Sequence, residues 1–365
     1  MSLNCGIVGL PNVGKSTLFN AITNTTNAQA ANYPFCTIEP NIGKVPVADE
    51  RLQKISVIAN TKKIIPNLLE IVDIAGLVRG ASKGEGLGNK FLDNIKQVDA
   101  ILHVVRCFED ENVMHVENGV DPIRDIEIIE TELLIADISF LQKRKENIER
   151  KAKNQKDAAE EVAIVNTLLV QMDSGRFAKD IQFDKENEMK IKQQLQLITD
   201  KPIVYVCNCD EIALKNNNAF ILQIEDFIVK KNAKMIKICA KLESEMSEFS
   251  DEEKRNFLNE LGVNSTGLEQ VARLGFDVLN MITFFTAGEK EVHAWSIIKG
   301  WTAPKAAGVI HTDFEKGFIK AETISYQDYI QYNGELGAKQ SGKLRLEGKE
   351  YIVQDGDIMH FKFNV

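Results

Sequence analysis

The chain has 365 residues, more than one core usually organises, so two or three domains are expected. Its 44% hydrophobic content and only eight prolines are those of a globular protein and exclude a disordered one. A net charge of −9 excludes a general attraction for nucleic acid or anionic lipid and leaves such work to a local basic face.

The first element is the apolar stretch Cys5–Val8, followed directly by Gly9-Leu10-Pro11-Asn12-Val13-Gly14-Lys15-Ser16-Thr17. This is the phosphate-binding loop of a nucleoside triphosphate site, set between a strand and a helix. The glycines let successive backbone N–H groups turn inward at the β-phosphate, Lys15 reaches the β/γ oxygens, and the Ser16 hydroxyl ligates Mg²⁺. Gly9, Asn12, Val13, Gly14, Lys15, Ser16 and Thr17 are therefore the candidate phosphate contacts, with Lys15 also the catalytic cation. The run Thr17–Ile22 reads as a helix whose positive end faces the phosphates.

Leu68–Asp73 is a buried-strand pattern ending in Asp73-Ile74-Ala75-Gly76. Asp73 is placed to hold Mg²⁺ through water, and the Gly76 N–H can approach the γ-phosphate because no side chain intervenes. Between the two elements lies Tyr33–Pro40, where the prolines disfavour helix and Thr37 is the candidate to complete the Mg²⁺ shell. Five glycines from Gly76 to Gly88 predict a segment that orders with triphosphate. Many nucleotide switches carry a water-orienting glutamine right after the glycine of this element; here the position holds Leu77, so catalytic help must come from elsewhere. Of the histidines, His103 sits in the apolar strand Ile101–Val105 and reads as structural. His115 follows a polar loop near a strand end and is the candidate helper, free to swing in; a solvated loop histidine is the plain alternative.

Base recognition should follow the strand Pro202–Cys207, which leads into Asn208-Cys209-Asp210-Glu211. Guanine readers carry Asn-Lys-x-Asp here, the aspartate accepting from guanine N1–H and the amine and the lysine stem covering the base. Cys209 cannot cover a base, and Glu211 is one methylene longer, so guanine specificity is doubtful. Ile236–Lys241 has the strand-then-small-residue form, with Ala240 against the base.

Between Arg106 and Pro202 lies an insertion. Ile126, Ile129, Leu133, Ile138 and Leu141, then Val162, Val165, Leu168, Leu169 and Met172, recur at near-helical spacing and predict an antiparallel helical hairpin turning at Gln155–Ala158. Near its tip, residues 143 to 156 hold Lys143, Arg144, Lys145, Arg150, Lys151, Lys153 and Lys156 against Glu146 and Glu149. That surplus is either a solvated helix face or a contact with RNA phosphates. From about Asn280 the character changes to short alternating runs, Gly317–Ala321, Glu350–Gln354 and Ile358–Phe363, which read as a β-rich module. His311 beside Asp313 has no nucleophile or metal set and reads as a turn-stabilising residue. The six cysteines are scattered without metal-ligand spacing and read as reduced core residues. No signal segment or membrane-spanning run is present, and a cytoplasmic location is expected.

With these elements in order, the whole chain resembles the YchF family, the Obg-like ATPases of the translation-factor-related P-loop switches. The most specific residues are Gly80–Asn89, the Asn-x-x-Glu of Asn208 to Glu211, and the C-terminal stretches Ala303–Gly308 and His311–Gly317, which resemble the TGS domain, also found in threonyl-tRNA synthetases. The resemblance implies an α/β fold: a P-loop Ras-like G domain (1–125 and 200–279), an inserted antiparallel helical hairpin or coiled coil (126–199), and a C-terminal ubiquitin-like β-grasp TGS domain (280–365). It further implies a Mg²⁺-dependent ATPase preferring ATP to GTP, a hydrolytic role for a mobile histidine matching His115, and a ribosome or ribosomal RNA partner. A monomer is expected. An ATP-gated ribosome- or RNA-binding module with negligible turnover, or a GTPase, remains the alternative.

Overall fold

The computed structural model describes residues 4–30, 41–74, 92, 94–117, 119–152 and 156–364. The expectations placed on Thr37, Gly76, Leu77 and the glycine-rich run 80–89 lie outside the described residues.

The chain opens with β1 (Asn4–Val8), α1 (Lys15–Ala30), β2 (Ile42–Pro46), α2 (Glu50–Ile58), β3 (Ile64–Ile65), β4 (Leu68–Asp73) and β5 (Ala100–Arg106). It continues through α3 (Pro122–Ala152), α4 (Lys156–Asp173), α5 (Glu186–Gln194), β6 (Ile203–Asn208), α6 (Glu211–Lys215), α7 (Ala219–Lys231), β7 (Lys234–Ile238), α8 (Ala240–Met246), α9 (Asp251–Leu261) and α10 (Gly267–Val278). Six of these strands form a sheet in the order β2-β4-β1-β5-β6-β7, parallel except where β2 meets β4. Every residue of β5 and β6 is buried, as central strands covered on both faces require. The strand order changes direction beside β1, so the chain leaving β1 and the chain leaving β5 border one crevice at the carboxyl ends of the strands, where open α/β sheets take their ligands.

The insertion is a pair of long helices, α3 of 31 residues and α4 of 18, around a core of their own that includes Leu141, Ile148, Val165, Leu168 and Met172. Arg144 pairs with Glu161 across them at 2.6 Å, which fixes the antiparallel sense. Of the expected turn Gln155–Ala158, residues 156 to 158 already belong to α4, which begins at Lys156. The reason is local: Asp157, Ala158, Ala159 and Glu160 contain neither glycine nor proline to stop a helix. The near end of α3 is bound to the sheet by buried carboxylates. Asp137 accepts from the Ile198 and Thr199 backbone N–H groups and the Thr199 hydroxyl, while Glu130 accepts from Tyr205 Oη at 2.5 Å and from Lys231.

The remaining chain forms β8 (Met281–Ala287), β9 (Val292–Ile298), α11 (Ala303–Ile310), α12 (Thr312–Lys316), β10 (Phe318–Ile324), α13 (Tyr326–Gln331), α14 (Glu335–Gln340), β11 (Arg345–Glu347) and β12 (Ile358–Phe363). The second sheet runs β11-β10-β12-β8-β9-β3. Consecutive side chains serve opposite faces, Phe284 packing with Ala303 and Phe361 and Phe285 with Leu52, Ile55 and Ile324. Thus α2 and β3, which fall inside the expected 1–125 unit, lie with this sheet; Ile64 pairs with Val292 and Ile65 with His293. Glu350–Gln354 is not a strand. It makes one bridge, Ile352 to Thr302, because the segment curls around Asp357, which accepts from Tyr351 Oη at 2.7 Å and the Gln354 N–H at 2.9 Å. His311 does stabilise a turn, its Nδ1 accepting from the Asp313 N–H at the start of α12.

Candidate functional site

The loop from Gly9 to Gly14 passes from β1 into α1 through two backbones that need glycine. Gly14 has φ +100° and a Cβ there would lie 2.2 Å from Asn208 Nδ2; Gly9 has φ +153° and its Cβ would meet the Val104 carbonyl oxygen at 2.4 Å. The Lys15 side chain is folded back on the loop, its Nζ donating to the Leu10 carbonyl at 2.5 Å. Burial pulls the Lys15 pKa down to about 8, against the opposing attraction of Asp73. The Asp73 carboxyl, at the end of β4, is pushed up by burial and partly restored by Lys15. Burial thus disfavours both charged groups, and incoming phosphate and a hard cation would relieve them.

On the far side, Asn208 is 5% exposed and joins three elements. Its Nδ2 donates to the Val13 carbonyl at 2.9 Å, and its Oδ1 accepts from the Ala240 N–H at 3.0 Å. Cys209 is buried, its thiol pushed up to about 12, so it is a small neutral wall. Asp210 is occupied at the start of α6, where its Oδ1 accepts from the Ala213 N–H at 2.8 Å. Glu211, one residue on, is exposed and left to face the crevice.

These residues enclose a cavity of about 690 Å³ lined by Asn12, Gly14, Lys15, Ser16, Thr17, Asn208, Cys209, Glu211 and Ala240, a size suited to a nucleotide. Gly9, Val13 and Asp73 do not line it; Val13 acts on it through its carbonyl to Asn208 and Asp73 through its charge on Lys15. Phe108, Glu109, Asp110, Val113, Asp210, Ile212, Cys239 and Lys241 also line the cavity and were not singled out in the sequence. For the loop after β5, its place at the carboxyl end of a strand beside β1 was the available signal.

That loop is shaped by Arg106. The side chain is 2% exposed, and its guanidinium donates to the carbonyls of Phe108 at 3.1 Å, Val113 at 2.9 Å and Asp110 at 3.3 Å, with its carbon 4.7 Å from the Phe108 ring centre. Beyond the clamp, Asn12 Nδ2 donates to the Met114 carbonyl at 3.2 Å. His115 does not line the cavity and is not a free loop side chain. Its ring is 4% exposed, Nε2 lies 2.8 Å from Asp125 Oδ2 on the first turn of α3, and Nδ1 accepts from the Glu117 N–H at 3.1 Å. At rest the ring is held by a carboxylate ten residues later in the chain, itself held by Arg124. His103 is buried in β5 and its pKa is lowered to about 3 by desolvation, a neutral core residue as expected.

Comparison with known proteins places the geometry in context. A family model described as a 50S ribosome-binding GTPase matches residues 4–143, and the YchF-GTPase_C model, described as a protein of unknown function, matches residues 281–364. The chain is 52% identical to the ribosome-binding ATPase YchF of Bacillus subtilis, over 368 residues covering 100% of both chains. It is 51% identical to that of Haemophilus influenzae over 366 residues, again with 100% of both covered. A solved structure of the YchF GTPase of Schizosaccharomyces pombe superposes with a TM-score of 0.90 at 40% identity, covering 99% of this chain and 98% of that one.

Proposed function

This chain belongs to the YchF family, and from that premise we propose that it is an ATP-hydrolysing switch that docks on the ribosome. The observation that carries the reading is the single cavity joining the phosphate loop to Asn208, Cys209 and Glu211. In our reading water attacks the γ-phosphorus in line, while Lys15 and the loop N–H groups stabilise the developing charge. Ser16 and Asp73, both hard oxygen donors beside Lys15, are the described residues that would hold Mg²⁺, with Thr37 as the further ligand; the ion when bound would neutralise charge on the β and γ oxygens. A nucleotide unit of 1–125 with 200–279, less the stretch from α2 to β3 that packs with the second sheet, a hairpin of 126–199, a C-terminal unit of 280–365, a monomeric state and a cytoplasmic setting complete the proposal. Among the described residues no helix is long and apolar enough to cross a membrane. Lys143 and Arg150 near the hairpin tip are exposed and suited to RNA phosphates.

The relatives carry names as ATPases and the solved neighbour as a GTPase, so base choice is the first test. With Asp210 committed to the helix start and Cys209 where guanine readers carry lysine, ATP should bind more tightly than GTP in calorimetric titration. Tighter GTP binding overturns the base assignment.

His115 is the proposed helper. Changing it to Ala should lower turnover about 10- to 100-fold while ATP affinity stays nearly constant. A parallel loss of affinity would make His115 structural. Its sequestered ring also favours a second reading, an ATP-gated ribosome-binding module with negligible turnover. Single-turnover hydrolysis measured with and without ribosomes separates the two: turnover in either condition supports the switch, and none in both supports the module.

A further inference from the structure

Where it sits, the His115 ring has no chemistry to offer. Nδ1 is occupied as an acceptor by the Glu117 N–H, which leaves the proton on Nε2, and that proton is donated to Asp125. Neither nitrogen has a free lone pair with which to take a proton from water or hold it in line. The partners are dry, with the two side chains 4% and 3% exposed, so the bond is charge-assisted and shielded from competing solvent.

The geometry points to Asp125 as a positioning residue that stores His115 outside the nucleotide cavity and releases it to the reaction when the phosphate loop is filled. This rests on the hydrolytic role read for His115 above. Three features make the store releasable. The loop is fixed at its root by the Arg106 clamp, whose last contact is the Val113 carbonyl, so only the segment from Met114 onward need move. That segment is poorly packed on its outer side, Met114 being 81% and Val116 48% exposed. Its one described tie to the phosphate loop is the bond from Asn12 Nδ2 to the Met114 carbonyl, and Asn12 itself lines the cavity and holds φ +63°. A triphosphate seated on the loop displaces Asn12 from that carbonyl and removes one of the contacts holding the stored arrangement. The stored and released states then differ by few bonds, and the released fraction sets the turnover number.

The test is kinetic. Asp125→Asn keeps an acceptor for Nε2–H but removes its charge, so it weakens storage without emptying the space. It should raise the intrinsic turnover number about 3- to 10-fold and tighten ATP binding, because the released state that nucleotide favours is more populated once the bond is weakened. In Asp125→Asn combined with His115→Ala the gain should vanish and turnover should equal that of His115→Ala alone. Equal or lower turnover in a folded Asp125→Asn protein overturns the proposal and makes the carboxylate a support for the fold. If His115→Ala by itself changes nothing, it is the helper reading that fails, a separate outcome. Should Asp125→Asn not fold, imidazole ¹⁵N NMR of the wild-type chain decides, with His115 assigned by loss of its signal in His115→Gln. The nucleotide-free ring should show a solvent-protected Nε2–H that loses protection on adding Mg²⁺ and a non-hydrolysable ATP analogue; protection unchanged by the analogue overturns the proposal.

Discussion

Lys15→Ala should cost at least about 100- to 1,000-fold in ATP turnover, the scale on which a single preorganised contact to developing charge acts, and should severely weaken triphosphate binding. Lys15 is the fixed cation of the loop, and burial has already stripped it of water, as its lowered pKa of about 8 records. A desolvated ammonium is poised to exchange the Leu10 carbonyl for phosphate oxygens with little further reorganisation. The same burial makes the residue a cost to the ligand-free fold, so the variant's Tm in the absence of nucleotide should hold or rise. Loss of turnover together with an unchanged Tm separates this prediction from simple unfolding; near wild-type turnover would sink the assignment of the loop.

Asn208→Ala is expected to damage both stability and binding. Two buried backbone groups, the Val13 carbonyl and the Ala240 N–H, lose their partners together, at about 1–3 kcal/mol for each group left unpaired. A loss near 2–4 kcal/mol in denaturant unfolding is the expected sum, since neighbouring water will recover part of it. ATP affinity should fall at least about tenfold, because the phosphate loop and the start of α8 are no longer held at one spacing. Asn208→Asp is the informative companion. It keeps the acceptor for Ala240 but sets a carboxylate oxygen against the Val13 carbonyl, so it should be impaired as well; a fully active Asp variant would show that the bond to Val13 has no part in shaping the site.

Much of this was legible from residue order. Leu68–Asp73 is a strand with those bounds, β5 ends at Arg106, and the phosphate loop and Asn208 meet at one cavity. Periodicity and glycine placement are local signals, and these elements are locally determined. The failures share a different cause. Arg106 reads as a polar strand end, and nothing near it tells that three carbonyls will wrap it. His115 reads as unpartnered because Asp125, which holds it at rest, is presented by the first turn of the next helix. Glu350–Gln354 alternates like a strand, yet the carboxylate of Asp357 claims its polar groups first. In each case a side chain pairing across a short loop decides the outcome, and composition carries no trace of it.

The two-residue strand β3 has a consequence for how the molecule can be divided. β2 and β4 are hydrogen-bonded neighbours in the first sheet, yet the chain between them, residues 47–67, detours through the second. It is basted down at both ends: Arg51 reaches Asp355 at 2.7 Å on the way out, and Asn67 Nδ2 donates to the buried Thr283 hydroxyl at 2.9 Å on the way back. Scissors placed before residue 281, where the C-terminal family model begins, leave Ile64 and Ile65 with no strand to join and Leu52 and Ile55 with no Phe285 to cover them. The edge of the family model and the seam in the fold do not coincide, and the C-terminal module is a garment lining sewn into the nucleotide unit rather than an appendage that can be unbuttoned from it.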